Sequence, residues 1–339
     1  MRIKLFTALS LSLLAITSCE INSSNPDSIY DGATLVLNEG AFTGGTATIQ
    51  VVTNDTVIEN AFQVENGFPL GNIGQHMIKA DSLIIVTLNN GGLVRGIGAS
   101  SLLSQWSAEV SSPRYVAYSG ESIIVSTWGS NFIKVLDPFT GAILDSINVY
   151  GLSEAVHIDY PLAYVALNGG FSNDHRVAIV DLVTKAVDTV TVGDKPNSFV
   201  QMNNDLYVLC EGFQDWSAVD NSTPASLWKM DINTGNSVEA ANAGSDAVHA
   251  SALRTDGTHL YFLNNTYNGA VVSMEPSSAD WPTVDLTASV GYSLDVINDT
   301  LYLHNAKDFA SSGVIYICDK QGNTLDSMST GLIPRQILK

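Results

Sequence analysis

Six histidines and two Pro-Arg pairs are the residues of this chain with the most obvious chemistry to offer. The histidines, His76, His157, His175, His249, His259 and His304, show no HxH or HExxH spacing and no carboxylate cluster beside them. A metal site built by the protein itself is therefore not indicated. No G-x-S-x-G elbow, glycine-rich phosphate loop or pair of catalytic carboxylates at a recognisable spacing occurs either. Arg114 and Arg335 each follow a proline where a strand is expected to begin. Their guanidinium groups suit a carboxylate or phosphate, or pairing with acids such as Glu39 and Glu211; in so acidic a chain the pairing is the preferred reading. The chemistry on offer is thus recognition rather than bond-making, and the question becomes which elements hold these groups in place.

Composition narrows the classes. With 34 acidic against 15 basic residues the net charge is −19, and such a surface repels phosphate backbones, which excludes nucleic acid as a partner. A chain of 339 residues, 45% of them hydrophobic, has the means to build a large core. Three cysteines in that length cannot form a disulfide framework. Cys210 and Cys318 fall in strands of non-adjacent units and are expected as free buried thiols.

The first eighteen residues read as an export signal: Arg2 and Lys4, an apolar run from Leu5 to Ile16, then small residues. Ile16-Thr17-Ser18-Cys19 resembles the lipobox of bacterial lipoproteins, which makes Cys19 the expected lipidated N-terminus. Residues 19–33 are polar, with Pro26 and Gly32, and read as a flexible tether. Contact with the membrane is expected through the lipid alone.

From residue 34 to 339 short apolar runs alternate with Gly, Asn and Asp turns at a period of about forty residues, the signature of an all-β propeller. Second strands align as LIIVTLNN (from Leu83), SIIVSTWGS (Ser122), LAYVALNGG (Leu162), DLYVLCEGF (Asp205), HLYFLNNTY (His259) and TLYLHNAKD (Thr300). Third and fourth strands meet at turns opened by Asp137, Asp181, Asp231 and Asp319, aspartates expected to bond the following backbone. TLVLNEGAF from Thr34 is a second strand without a first; TATIQVV and TVIENAF are read as the strands that follow it. GLIPRQILK at the end resembles the start of a unit. Pairing of the two termini gives seven blades and a closed ring.

LVLNEGAFTGG (Leu35 to Gly45), GFPLGNIGQHM (Gly67 to Met77), SPRYVAYS (Ser112 to Ser119), VGDKPNSFV (Val192 to Val200) and LYVLCEGF (Leu206 to Phe213) resemble the YVTN/YncE-type seven-bladed propellers. The narrower resemblance is to a Bacteroidetes group of cell-surface lipoproteins that includes the BtuG-like cobalamin-capture proteins. It implies an outer-membrane lipoprotein that binds cobalamin or another corrinoid and hands it to a TonB-dependent transporter. No cofactor of the protein's own is implied.

In a ring of this kind the loops after the second strands share one face, and variable loops on a rigid scaffold are where binding belongs. The residues expected to stack against a ligand are Trp128, Phe171, Trp216, Tyr267 and Phe309. Asn131, Asn168, Arg176 and His304 are the expected polar contacts. His175 and His304 are read as loop residues able to approach a ligand's metal, and His157 and His259 as strand residues. A plainer account remains open, in which asparagines serve turns and aromatics plug the ring. A glycan- or protein-binding module is the second functional class. The third is a lyase or hydrolase using His175 or His304 as base.

Overall fold

The computed structural model describes Tyr30, residues 32–218 and residues 221–339. The expected leader, Cys19 and nearly all of the tether lie outside the described residues. Within them the chain forms seven four-stranded antiparallel sheets, each running outward from a central channel. The protein is an all-β, seven-bladed propeller.

The physical reason for the repeating apolar runs is stacking. Second strands such as Leu83–Leu88, Leu162–Leu167 and Asp205–Cys210 are buried at every position but the first. Each is covered on both faces by neighbouring blades, so it needs no polar side. Outermost strands such as Ile143–Asn148 and Val187–Thr191 are largely exposed and carry the charges. Between blades one and two, Leu35, Leu37, Ile49 and Val51 interlock with Met77, Ile84, Val86 and Leu88 in one cluster. Between blades two and three, Ile85 and Val94 meet Val116, Ile123 and Val125.

The aspartate turns form as their positions require. Asp137 Oδ1 accepts the N–H groups of Phe139 and Thr140 at 2.9 and 2.8 Å. Asp181 and Asp231 repeat the arrangement with Val183 and Thr184, and with Asn233 and Thr234. Asp319 does so with Gln321 and Asn323.

Ring closure comes from the chain ends. Pro334–Leu338 pairs antiparallel with Thr34–Asn38, Leu35 opposite Leu338 and Val36 opposite Ile337, and so supplies the innermost strand of blade one. Ile337 is buried with Val36, Tyr302 and Ile315 at the seam to blade seven. The seven innermost strands, Pro334–Leu338, Gly74–Ala80, Pro113–Tyr118, Ser153–Asp159, Pro196–Met202, Ser251–Thr255 and Ser293–Ile297, pack side by side around the channel. The closing strand thus covers the inner edge of Thr34–Asn38.

One expected strand is shorter than the pattern implied. TVIENAF forms only a two-residue strand, Val57–Ile58, and Ala61–Asn66 is a helix. Phe62 is fully buried there, and Gly67 ends the helix in the left-handed conformation at φ 73°, its N–H bonded to the Gln63 carbonyl. Burial of Phe62 beneath Arg95 and against Phe68 outweighs strand continuation at this exposed edge.

Candidate functional site

The mouth of the channel is built by one local device used repeatedly. The residue before an innermost strand adopts the left-handed conformation at Ile73, Ser112, Lys195 and Ile333, with φ between 46° and 57°. The following strand begins at Gly74, Pro113, Pro196 or Pro334 and carries a bulge within its first residues. A proline there gives up no ladder hydrogen bond. The bulge re-aims the next side chain, and Gln75, Arg114, Asn197 and Arg335 all face the channel. For the isoleucines this backbone costs about 1–3 kcal/mol each, and it persists because the strand on either side is fixed.

These side chains floor a cavity of about 790 Å³ that opens on the loop face, with Lys195, Arg254 and Glu154 beside them. Arg114 is the best-held cation. Its Nε and Nη2 donate to the two oxygens of Glu154 at 2.9 and 2.6 Å, and Nη1 donates to Gln75 Oε1 at 2.8 Å. Its guanidinium carbon lies 4.0 Å from the centre of the Trp128 ring. Although burial works against it, the Glu154 charge and hydrogen bonds raise the Arg114 pKa further. Arg335 reaches Glu39 only at 3.6 Å and the Tyr115 hydroxyl at 3.5 Å, with the Tyr292 ring 5.1 Å away. Lys195 donates to the carbonyl of Gly170 at 2.9 Å and of Asn168 at 3.4 Å, and its pKa is lowered by burial. Glu211 is raised by burial, opposed by the Lys195 charge and the Thr266 hydroxyl. His76 is pushed down to about 3, first by burial and then by the charges of Arg254 and Arg335. Its Nδ1 accepts the Val116 N–H at 3.3 Å, so the ring is neutral with its proton on Nε2.

Above this floor stands an aromatic rim. Phe171 and Trp216 are 95% and 89% exposed, and Tyr267 is 68% exposed. Phe171 meets Trp128 edge to face at 5.4 Å between centroids. Large aromatic faces left in water at the lip of a cavity are prepared contact surface. Three polar atoms of the lining have no partner among the described residues: Gln75 Nε2, Trp128 Nε1 and Ser251 Oγ.

Of the nine residues expected from sequence, the cavity brings together Trp128, Asn168, Phe171, Trp216 and Tyr267. Phe309 lies one layer back, packed edge to face on Tyr292 at 5.3 Å. The other three stand elsewhere. His304 belongs to the strand Thr300–Asn305 rather than a loop; it is wholly buried, with Nε2 3.2 Å from Asp295, because a second strand is covered on both faces. Arg176 is tied to Asp174 at 2.9 and 2.6 Å and to the Tyr150 carbonyl at 3.0 Å. Asn131 serves its hairpin, its carbonyl accepting the Val149 N–H. His259 precedes the strand Leu260–Leu263 and contacts Glu275 at 2.9 Å, outside any strand. Arg335 pairs with Glu39 as expected, whereas the partner of Arg114 is Glu154 rather than Glu211. Lys195, Arg254, Gln75 and Glu154 were missed. The phase of the repeat carried a signal for three of them, since Gln75 and Glu154 stand where Arg114 stands in S-P-R and Lys195 directly precedes the proline of D-K-P-N, whereas Arg254 lies two residues further along its strand.

Fold and cavity together define a seven-bladed propeller with a cavity at the mouth of its channel. No protein-family sequence model matches the chain, and no curated protein matches it. Solved structures of the same fold are many. A quinonprotein alcohol dehydrogenase-like protein from Bacteroides thetaiotaomicron superposes with a TM-score of 0.65 at 14% identity, covering 91% of this chain and 78% of that one. A protein from Lactobacillus plantarum gives 0.64 at 12% identity, covering 91% and 99%. Apo AztD from Citrobacter koseri gives 0.58 at 10%, covering 90% and 96%. At these identities the likeness is one of fold alone.

Proposed function

We propose that this protein is a binding protein, not a catalyst, and that it captures a large ligand at the mouth of the channel. The observation that carries this reading is the pairing of an exposed aromatic rim with a deep cavity whose lining retains unpartnered polar atoms. A cavity of this size lies within the range of small-molecule sites. Because the loops spring from a closed ring, little ordering cost is left for the binding step.

The ligand we favour is cobalamin or another corrinoid. Its flat ring suits the Trp128, Phe171, Trp216 and Tyr267 surfaces, and its amide fringe suits Gln75, Asn168, Asn197 and Asn265, all of which line the cavity. The sequence resemblance to corrinoid-capture lipoproteins supports the same choice. On that reading the chain is lipidated at Cys19, displayed on the outer membrane, and delivers its ligand to a TonB-dependent transporter.

The test is a titration of the purified protein with cobalamin, cobinamide, iron chelates and oligosaccharides in turn, following tryptophan emission and the thermal midpoint. A saturable response to a corrinoid is expected, weakened by Trp216→Ala by about tenfold or more, as for a large aromatic that stacks on the ligand. The nearly full exposure of Trp216 means that this variant keeps its stability. A response to oligosaccharide alone moves the protein to the glycan-binding class, and no response to any corrinoid removes the corrinoid reading.

A further inference from the structure

The cavity floor holds more positive charge and more idle donors than a merely structural plug requires. Four of the chain's 15 basic residues, Arg114, Lys195, Arg254 and Arg335, line this one cavity in a protein of net charge −19. Two of the four are already largely engaged. Arg114 has three of its five N–H donors engaged by Glu154 and Gln75, and Lys195 two of its three by carbonyl groups.

Arg335 is different. A guanidinium has five N–H donors in a fixed plane, yet the Arg335 side chain has one hydrogen bond, at 3.5 Å, and an ion contact at 3.6 Å. Its side chain is only 15% exposed and lines the cavity. Arg254 places Nε toward Asp295 at 3.3 Å and Nη1 on the Leu253 carbonyl, leaving Nη2 unbonded among the described residues. Gln75 is 3% exposed. The orientation of its amide is fixed, because Oε1 takes the Arg114 donor; Nε2 must then turn to the other side, where it has no partner. Ser251 Oγ is also unpartnered. Buried donors without acceptors are rare in folded proteins and costly. Two such donors, Gln75 Nε2 and Ser251 Oγ, line the same cavity as Arg254 and Arg335, the two guanidinium groups whose charges act on His76.

We infer that the channel floor is a built subsite for an anionic group of the ligand, a carboxylate or a phosphate, received by Arg335 and Arg254 with the Gln75 amide and the Ser251 hydroxyl. Bidentate acceptance by a planar oxyanion matches the idle edge of Arg335. Glu39 approaches Arg335 only at 3.6 Å and Asp295 takes only the Nε donor of Arg254, so both arginines keep further N–H donors. This subsite rests on the cavity being a ligand site, though on no particular ligand.

The test therefore uses small probes: phenyl phosphate, benzoate and neutral benzamide, added to the full-length protein at low and high salt, with tryptophan emission and isothermal titration as readouts. Both Trp128 and the aromatic rim report on occupancy. At least one anion is expected to bind saturably and benzamide not to bind, and whichever anion is stronger identifies the source as phosphate or carboxylate. Arg335→Met is expected to weaken the anion by about tenfold or more, the loss of a charge-assisted pair of bonds. Should that variant fail to fold, Gln75→Leu, which removes the idle amide, is expected to weaken it about three- to tenfold. Failure of both anions to bind below about 10 mM, equal binding of benzamide, or wild-type anion affinity in both variants overturns the subsite. Since no corrinoid is used, such failure leaves the proposed capture function standing, and failure of the corrinoid titration leaves the subsite standing.

Discussion

Asp295 is the residue through which the ring closure can be tested most sharply. It lies on the innermost strand of blade seven, buried, and its carboxylate meets two donors and the His304 ring from three directions. Oδ2 accepts the N–H of Ile337, on the closing strand, at 2.7 Å and lies 3.2 Å from His304 Nε2; Oδ1 lies 3.3 Å from Arg254 Nε on blade six. Asp295→Asn keeps the shape but removes the charge and turns an amide N–H₂ toward groups that are themselves donors. Breaking one side of a buried charged pair costs about 3–5 kcal/mol. The sign of the pH dependence follows from the carboxyl itself. Burial pushes its pKa up, but the hydrogen bond from His304 and the charge of Arg254 outweigh this and hold it below the ordinary value. A depressed carboxyl contributes stability that is complete above about pH 4 and is lost as the pH falls through the folded-state pKa. Urea unfolding followed by far-ultraviolet circular dichroism should place the variant well below the wild type at neutral pH, with the gap narrowing in acid. Equal midpoints at neutral pH, or a gap that persists unchanged in acid, would refute the clamp.

Two further outcomes are expected. Gly212 has φ 81°, and a Cβ there would sit 2.4 Å from the Thr223 carbonyl oxygen; Gly212→Ala should cost about 1–3 kcal/mol and loosen the loop bearing Trp216, weakening ligand capture in the same titration. The Cys210 and Cys318 thiols are buried and their pKa values are pushed up by that burial. In native protein both should resist a thiolate-selective reagent such as iodoacetamide and become reactive only in denaturant, and rapid native labelling of Cys210 would contradict its burial.

The degree to which the fold was legible follows from stacking. A strand covered on both faces must be apolar throughout, so LIIVTL and LAYVAL mark the second strand of their blades directly, and Asp137 or Asp181 marks the turn because its own side chain makes the bonds. Ala61 and Phe62 were read as strand, and the helix found there is decided by where Phe62 finds cover, a tertiary matter. The rim was largely legible for the same local reason as the turns: most aromatics in the loops after second strands reach the lip, as Phe171, Trp216 and Tyr267 do, while Phe309 packs back on Tyr292. His304 was not, since a shift of a few residues along the strand moves a side chain from the lip into the stacked core.

By itself the sequence determined the repeat, the seven-fold count, the joining of head and tail, and the identity of the aromatics available to a ligand, because each depends on local pattern alone. Only the tertiary structure decided how the cations are used. Arg114 and Glu154 are 40 residues apart, and Arg254, Asp295 and Ile337 come from three different blades. Which guanidinium is held by protein partners and which is left with idle donors depends on distances across the channel, and those are set by the closure of the ring rather than by any spacing along the chain.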